Sequence, residues 1–222
     1  TIGESAFEEC SSLTSLTLPA GLTDIGRRAF AKSGLTSISL PVGVTVLSDE
    51  TFDSARSLVR ATLPDTLREI DTKAFYNTGL TEISIPSSVR TIGDRAFSNC
   101  TALSSITLQK NLTTLGAYVF ENTHALTQIS LPDTVTDIGA YAFWQSGVTA
   151  VTIPAAMTEI GNNAFAVSNI QEVTFHDGVT RIGNGAFNES KLTAIAFPQN
   201  LQSVGTGAFS RTPITTVTIP AG

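Results

Sequence analysis

The pattern Ile92-Gly93-Asp94-Arg95-Ala96-Phe97 returns, intact or with one or two substitutions, ten times between Ile2 and Phe209. Its closing phenylalanines are Phe7, Phe30, Phe52, Phe75, Phe97, Phe120, Phe143, Phe165, Phe187 and Phe209, always 22 or 23 residues apart. A period of that length marks a solenoid, whose units touch only the units beside them. No interior linker divides such a chain, so residues 1–222 read as a single array. Because the array begins and ends inside a repeat, the expectation is a fragment of a longer protein whose end coils are open.

The full unit is L-x-x-I-x-L-P-x-x-V-x-x-I-G-x-x-A-F. In Leu80-Thr81-Glu82-Ile83-Ser84-Ile85-Pro86, Ile83 and Ile85 fall on one face and Glu82 and Ser84 on the other, which is the alternation of a strand. Pro ends this strand in eight of ten copies, with Gln109 and His176 standing in twice. Proline has no N–H to give a ladder, so pairing must stop there. After a second apolar pair, such as Val89 and Ile92, comes Gly in eight of ten copies, replaced by Ser48 and Asp71. Those residue types predict a tight bend with unusual dihedrals. The x-x-A-F step predicts a short turn of helix or 3₁₀, with Phe inside and Ala where coils approach. The opening apolar residue always precedes the Phe by 17 residues, whereas the next strand starts five or six residues after it. All slack therefore lies in one rear loop, where solvent tolerates an insertion.

These residues resemble the BspA-type class of leucine-rich repeats, with Leu80–Phe97 and Leu126–Phe143 matching its pattern position by position. The resemblance covers essentially the whole chain. It implies a right-handed leucine-rich-repeat solenoid of about ten repeats, with one parallel β-sheet on the concave side and short 3₁₀ or helical turns and loops on the convex side. The asparagine ladder of the common leucine-rich repeat is missing, since Gly43, Thr66, Ser88, Thr134 and Ala156 hold that turn. The resemblance further implies a secreted or cell-surface module, usually part of a larger anchored bacterial protein, that binds host extracellular matrix or other cells.

Charge and composition exclude other classes. The net charge is −6 and the longest cationic run is Arg27-Arg28, so there is no basic stripe to displace counterions from nucleic acid. Apolar runs are only a few residues long, too short for a membrane-spanning helix. Cys10 and Cys100 share one column, three residues after their Phe and four repeats apart. At ~4.8 Å per strand they are far beyond disulfide reach, and both are expected as small buried thiols. His124 falls in a rear loop and His176 in a strand-end slot, so neither a metal site nor a Ser-His-Asp arrangement is expected. The reading is of a non-catalytic protein with no cofactor.

Two surfaces are candidates for binding a protein or glycan partner. The outward strand columns form a flat, hydroxyl-rich face on which Arg60, Glu82, Gln128 and Glu172 are the large polar residues; Thr and Ser also suit any exposed sheet. On the rear, Tyr118 and Tyr141 share a column in adjacent coils and Trp144 follows Phe143. Such amphipathic aromatics anchor contacts, or simply shield the core beneath short turns. The leading expectation is an adhesion module, and the alternative is a rigid spacer within a larger surface protein. End-to-end self-association of the open coils is a further expectation.

Overall fold

The computed structural model describes residues 1–220, and in it the ten phenylalanine rings form one stack along the inside of a solenoid. Successive ring centroids lie 5.1 to 6.0 Å apart, and the eight rings from Phe30 to Phe187 are fully buried. Parallel coils rise by roughly one strand spacing, ~4.8 Å, so a ring at a fixed place in each coil lands on the ring before it. Columns of Leu, Ile, Val and Ala surround the stack as one continuous core. The last two positions of the expected array, Ala221 and Gly222, lie outside the described residues.

Most coils contribute two strand segments, both parallel to their neighbours. The front segments are three residues long with the middle residue inward, as in Ser37–Ser39, Arg60–Thr62, Glu82–Ser84 and Ser105–Thr107. A second ladder of two-residue strands follows the proline turn and runs from Val46–Leu47 through Asp137–Ile138. It resumes at Glu159–Ile160 and continues to Ser203–Val204. The expected continuous front sheet is thus divided into pairs: Ser37–Ser39 with Arg60–Thr62, Glu82–Ser84 with Ser105–Thr107, Ala150–Thr152 with Glu172–Thr174, and Ala194–Ala196 with Thr216–Thr218. Gln128–Ser130, which should lie between the second and third pairs, forms no strand.

The expected helical turn on the rear is corrected, since no helix or 3₁₀ turn occurs among the described residues. The rear is a run of turns whose alternate amides serve different partners. Arg95, Phe97 and Asn99 donate to the carbonyls of Ala117, Val119 and Glu121 in the next coil, whereas Ala96, Ser98 and Cys100 fold back onto Gly93, Arg95 and Phe97. A helix would satisfy these groups within its own segment and leave the coils unconnected; the alternation satisfies them and ties coil to coil. It requires left-handed backbone two residues before and two residues after each Phe, as at Arg95 (φ 56°) and Asn99 (φ 60°). Asn77, Asn99, Asn122 and Asn163 suit that conformation, but the β-branched Val167 (φ 53°) is strained by it.

The recurrent glycine after the second apolar pair has a different role from the one expected. At that place the glycines do not take positive φ. A Cβ at Gly139 would lie 2.4 Å from the Ala117 amide nitrogen, and one at Gly116 would lie 2.5 Å from the Asp94 nitrogen. Close approach of the preceding coil, not a bend, selects glycine. Beside it, Asp94 Oδ1 accepts the Ala117 N–H at 2.8 Å and Asn162 Oδ1 accepts that of Asn184 at 2.8 Å, stapling consecutive coils.

Candidate functional site

The outward columns lie where the strand alternation put them, with the flanking residues of each front strand exposed. Between the columns the face is hollowed, and the hollows gather the polar candidates in two places. Arg60 and Glu82 line one of about 340 Å³ together with Thr62, Asp65 and Ser84. They form an ion pair at 3.0 Å with both side chains well exposed, so their attraction is screened and modest. Gln128 and Glu172 line a larger hollow of about 990 Å³ with Ser105, Ser130, Thr149 and Asp133. The four front candidates are therefore not one site.

The larger hollow coincides with the missing strand. Among the described residues, no hydrogen bond involves the backbone of Gln128, Ile129, Ser130 or Leu131. Ile129 is half-buried, as is Val173 two coils on, whereas their column-mates Ile38, Ile83, Ile106 and Val151 are buried. The core is locally opened. One coil earlier, Val119 occupies the place usually held by Ala, as the similarly shaped Thr51 does in the regular part of the stack. There Phe97 and Phe120 are 6.0 Å apart, and Phe143 is tilted by 36° against Phe120. The looseness extends one coil onward: a Cβ at Gly161 would lie 3.1 Å from its nearest neighbour, whereas the other glycines of the column that have a coil before them are held to 2.4–2.8 Å.

On the rear, the structure brings Tyr118, Tyr141 and Trp144 together as the sequence columns predicted. Tyr118 stacks on Tyr141 at 5.1 Å and meets the edge of Trp144 at 6.4 Å. Sequence reasoning missed Arg95, whose guanidinium covers the other face of Tyr118 at 4.4 Å; it stands one coil before Tyr118 in the same column, which was the available signal. Arg95 also lies 3.9 Å from Glu121, a buried carboxylate that accepts from Ser98 Oγ at 2.7 Å. Both faces of Tyr118 are thus occupied within the protein.

Further along the same rear columns, Arg28 bridges Glu8, Glu50 and Asp53. Its hydrogen bond, with help from Ser5, holds the Glu8 carboxyl down at about 2. Burial works to raise Glu50, but hydrogen bonds from Arg28 and Arg27 leave it lowered. Asp71, in a glycine slot, is pushed up to about 6 by burial and by the charges of Glu69 and Asp49.

The remaining reactive groups serve the scaffold. Cys100 is buried, its thiol pushed up to about 11 by burial, and it donates to the Phe75 carbonyl at 3.0 Å. Cys10, expected to be buried like it, is exposed, because its coil packs against a neighbour on one side only. Both are free thiols. The Gly178 N–H donates to His176 Nδ1, leaving Nε2 to donate to the Pro154 carbonyl at 3.0 Å, while His124 is exposed in its rear loop.

Comparison with known proteins agrees with this architecture. No curated protein matches the sequence. Solved structures that share the fold include a leucine-rich repeat protein from Bacteroides ovatus, 23% identical, with a TM-score of 0.61 over 99% of this chain and 76% of that one. A leucine rich cell surface protein from Faecalibacterium prausnitzii is 22% identical, with a TM-score of 0.50 over 100% of this chain and 77% of that one. The T. pallidum leucine-rich repeat protein is 24% identical, with a TM-score of 0.54 over 78% and 74%. The family model of the BspA type leucine rich repeat region matches in six copies, over residues 1–101, 24–149 and 114–222. With every coil inside those matches, the chain belongs to the BspA-type leucine-rich-repeat family.

Proposed function

We propose that this chain is a non-catalytic binding module of a secreted or cell-surface protein, making protein or glycan contacts with a host matrix or another cell. The observation that carries the reading is the division of labour within each coil. Residues facing the stack vary little in character, while the exposed columns carry Arg60, Glu82, Gln128 and Glu172 over open hollows. A rigid scaffold presenting variable side chains over an extended face is suited to recognition by many weak contacts. The Faecalibacterium prausnitzii protein of like fold is a cell surface protein, in keeping with the proposed location.

Folded chain immobilised against a panel of matrix proteins, mucins and glycans tests this. Saturable binding above that of an unrelated solenoid is the expected result, and its absence across the panel would count against the reading. The second reading, a stiff spacer, is favoured by the uninterrupted ten-ring stack. It predicts no ligand at all and a persistence in solution scattering equal to that of the folded array.

A further inference from the structure

The geometry points to the hollow around Gln128–Leu131 as a binding site for a neutral saccharide. This rests on the binding-module reading and names its site and ligand class. Three observations converge on one place. The backbone N–H and C=O groups of Gln128–Leu131 have no protein partner among the described residues, on a face where every other front strand after the first coil is paired on one side. The floor is apolar, since Ile129, Leu131 and Pro132 are only half-buried beneath the opening. The rim is made of short hydroxyl and amide side chains with two carboxylates, Asp133 and Glu172, and no Lys, Arg or His.

Each feature limits the occupant. A rim with two acids and no cation repels sulfated, sialylated or phosphorylated ligands. Unpaired backbone groups beside exposed hydroxyls suit a ligand rich in both donors and acceptors. A half-apolar floor suits the C–H face of a sugar ring. The volume, about 990 Å³, is at the upper end of that of a typical small-ligand pocket and spans four coils, enough for a short oligosaccharide. A protein partner with a cationic side chain would need only the carboxylates and would leave the opened backbone unmatched. The rear aromatics are weaker competitors, because Tyr118 has both faces covered by Arg95 and Tyr141.

The test is an array of neutral, sialylated and sulfated oligosaccharides probed with the folded chain, followed by calorimetry with the best neutral binder. Gln128 and Glu172 are exposed, so Gln128→Ala and Glu172→Ala should fold normally, checked by circular dichroism. Each is expected to weaken that binding at least tenfold, while Arg60→Ala with Glu82→Ala changes it less than twofold. Hydrogen exchange at the Gln128–Leu131 amides should be fast in the free chain and slow at saturating oligosaccharide. Preference for sulfated or sialylated glycans overturns the proposal, as does displacement of the sugar by a Lys-rich peptide that Glu172→Ala no longer binds. Loss of binding in Tyr141→Ala with Trp144→Ala, but not in Glu172→Ala, places the site on the rear and also overturns it. If no glycan binds but a matrix protein does, the saccharide site fails and the binding module stands; if neither binds, both fail.

Discussion

The coils closed by Phe75 and Phe97 and those closed by Phe120 and Phe143 are written in nearly the same pattern, yet they stack differently. In the first region the rings lie 5.4 Å apart within 10° of parallel, and each front strand has a partner. In the second the rings separate to 6.0 Å, then tilt by 36°, and the front strand of the Phe143 coil pairs with nothing. Several small departures distinguish them, among them Gln109 in the proline slot of the Phe120 coil and Asp71 in the glycine slot of the Phe75 coil. Val119 puts two extra methyl groups where coils meet, and the rear loops after Phe97 and Phe120 are both of the long form, whereas long and short alternate before them. Interiors this closely packed transmit strain, and the irregular rings and the opened front ladder fall in the same coils.

The comparison can be broken most directly through the ring stack. Phe97→Ala should cost about 3–5 kcal/mol in denaturant unfolding. Phe143→Ala should cost about 1 kcal/mol less, because its loosened surroundings collapse more readily; equal losses would remove the distinction between the regions. Next in size, Ala96→Val, which writes the Phe120 coil's departure into the regular region, should destabilise by about 1–3 kcal/mol through overpacking. The reverse change, Val119→Ala, should cost less than the ~1.6 kcal/mol expected for two buried methyl groups at ~0.8 kcal/mol each, because closer stacking offsets it. A full cavity penalty at Val119→Ala would show that the valine fits its place without strain.

Beyond the gap, Val167→Asn should raise stability by about 1 kcal/mol, read as a higher melting temperature, because Asn tolerates the left-handed backbone that Val167 is forced into. No gain would mean that Val167 packing compensates for its strain.

The smallest effect belongs to the regular region and depends on pH. The folded-state pKa of Asp71, about 6, lies above its ordinary 3.8. Its charged form is thus penalised by folding: the penalty is absent below about pH 4, grows between 4 and 6, and is full above 6. Asp71→Asn should therefore stabilise the chain at pH 8 by about 1 kcal/mol after discounting for solvent screening, with no gain at pH 4. A gain independent of pH would assign the effect to packing.

Much of this molecule was legible in the repeat. The spacing of Phe7 through Phe209 gave the solenoid, the alternation of Ile83 and Ile85 gave the inward strand faces, and the shared column of Tyr118 and Tyr141 gave their stacking. The rear turn was misread because Ala-Phe between polar residues is compatible with a helical turn. What excludes the helix is that Arg95, Phe97 and Asn99 must offer their amides to the next coil, a demand no single repeat expresses. Gly93 was misread for a similar reason: its purpose is the nearness of the Asp71 and Thr72 backbone, which lies a whole repeat away. The candidate site was half legible. Gln128 and Glu172 stood out as large polar residues on a small-residue face, but the sequence put them in line with Arg60 and Glu82 and gave no sign that the sheet opens between them.

The sequence by itself determined everything that repeats, because a side chain with the same neighbours in every copy has its environment fixed by the period alone. Only the tertiary structure decided where the repeat fails to close, because a hollow is the sum of small mismatches in spacing accumulated over several coils. The irregular rings around Phe120 and the hollow at Gln128–Leu131 fall in the same coils, a coincidence no single repeat expresses.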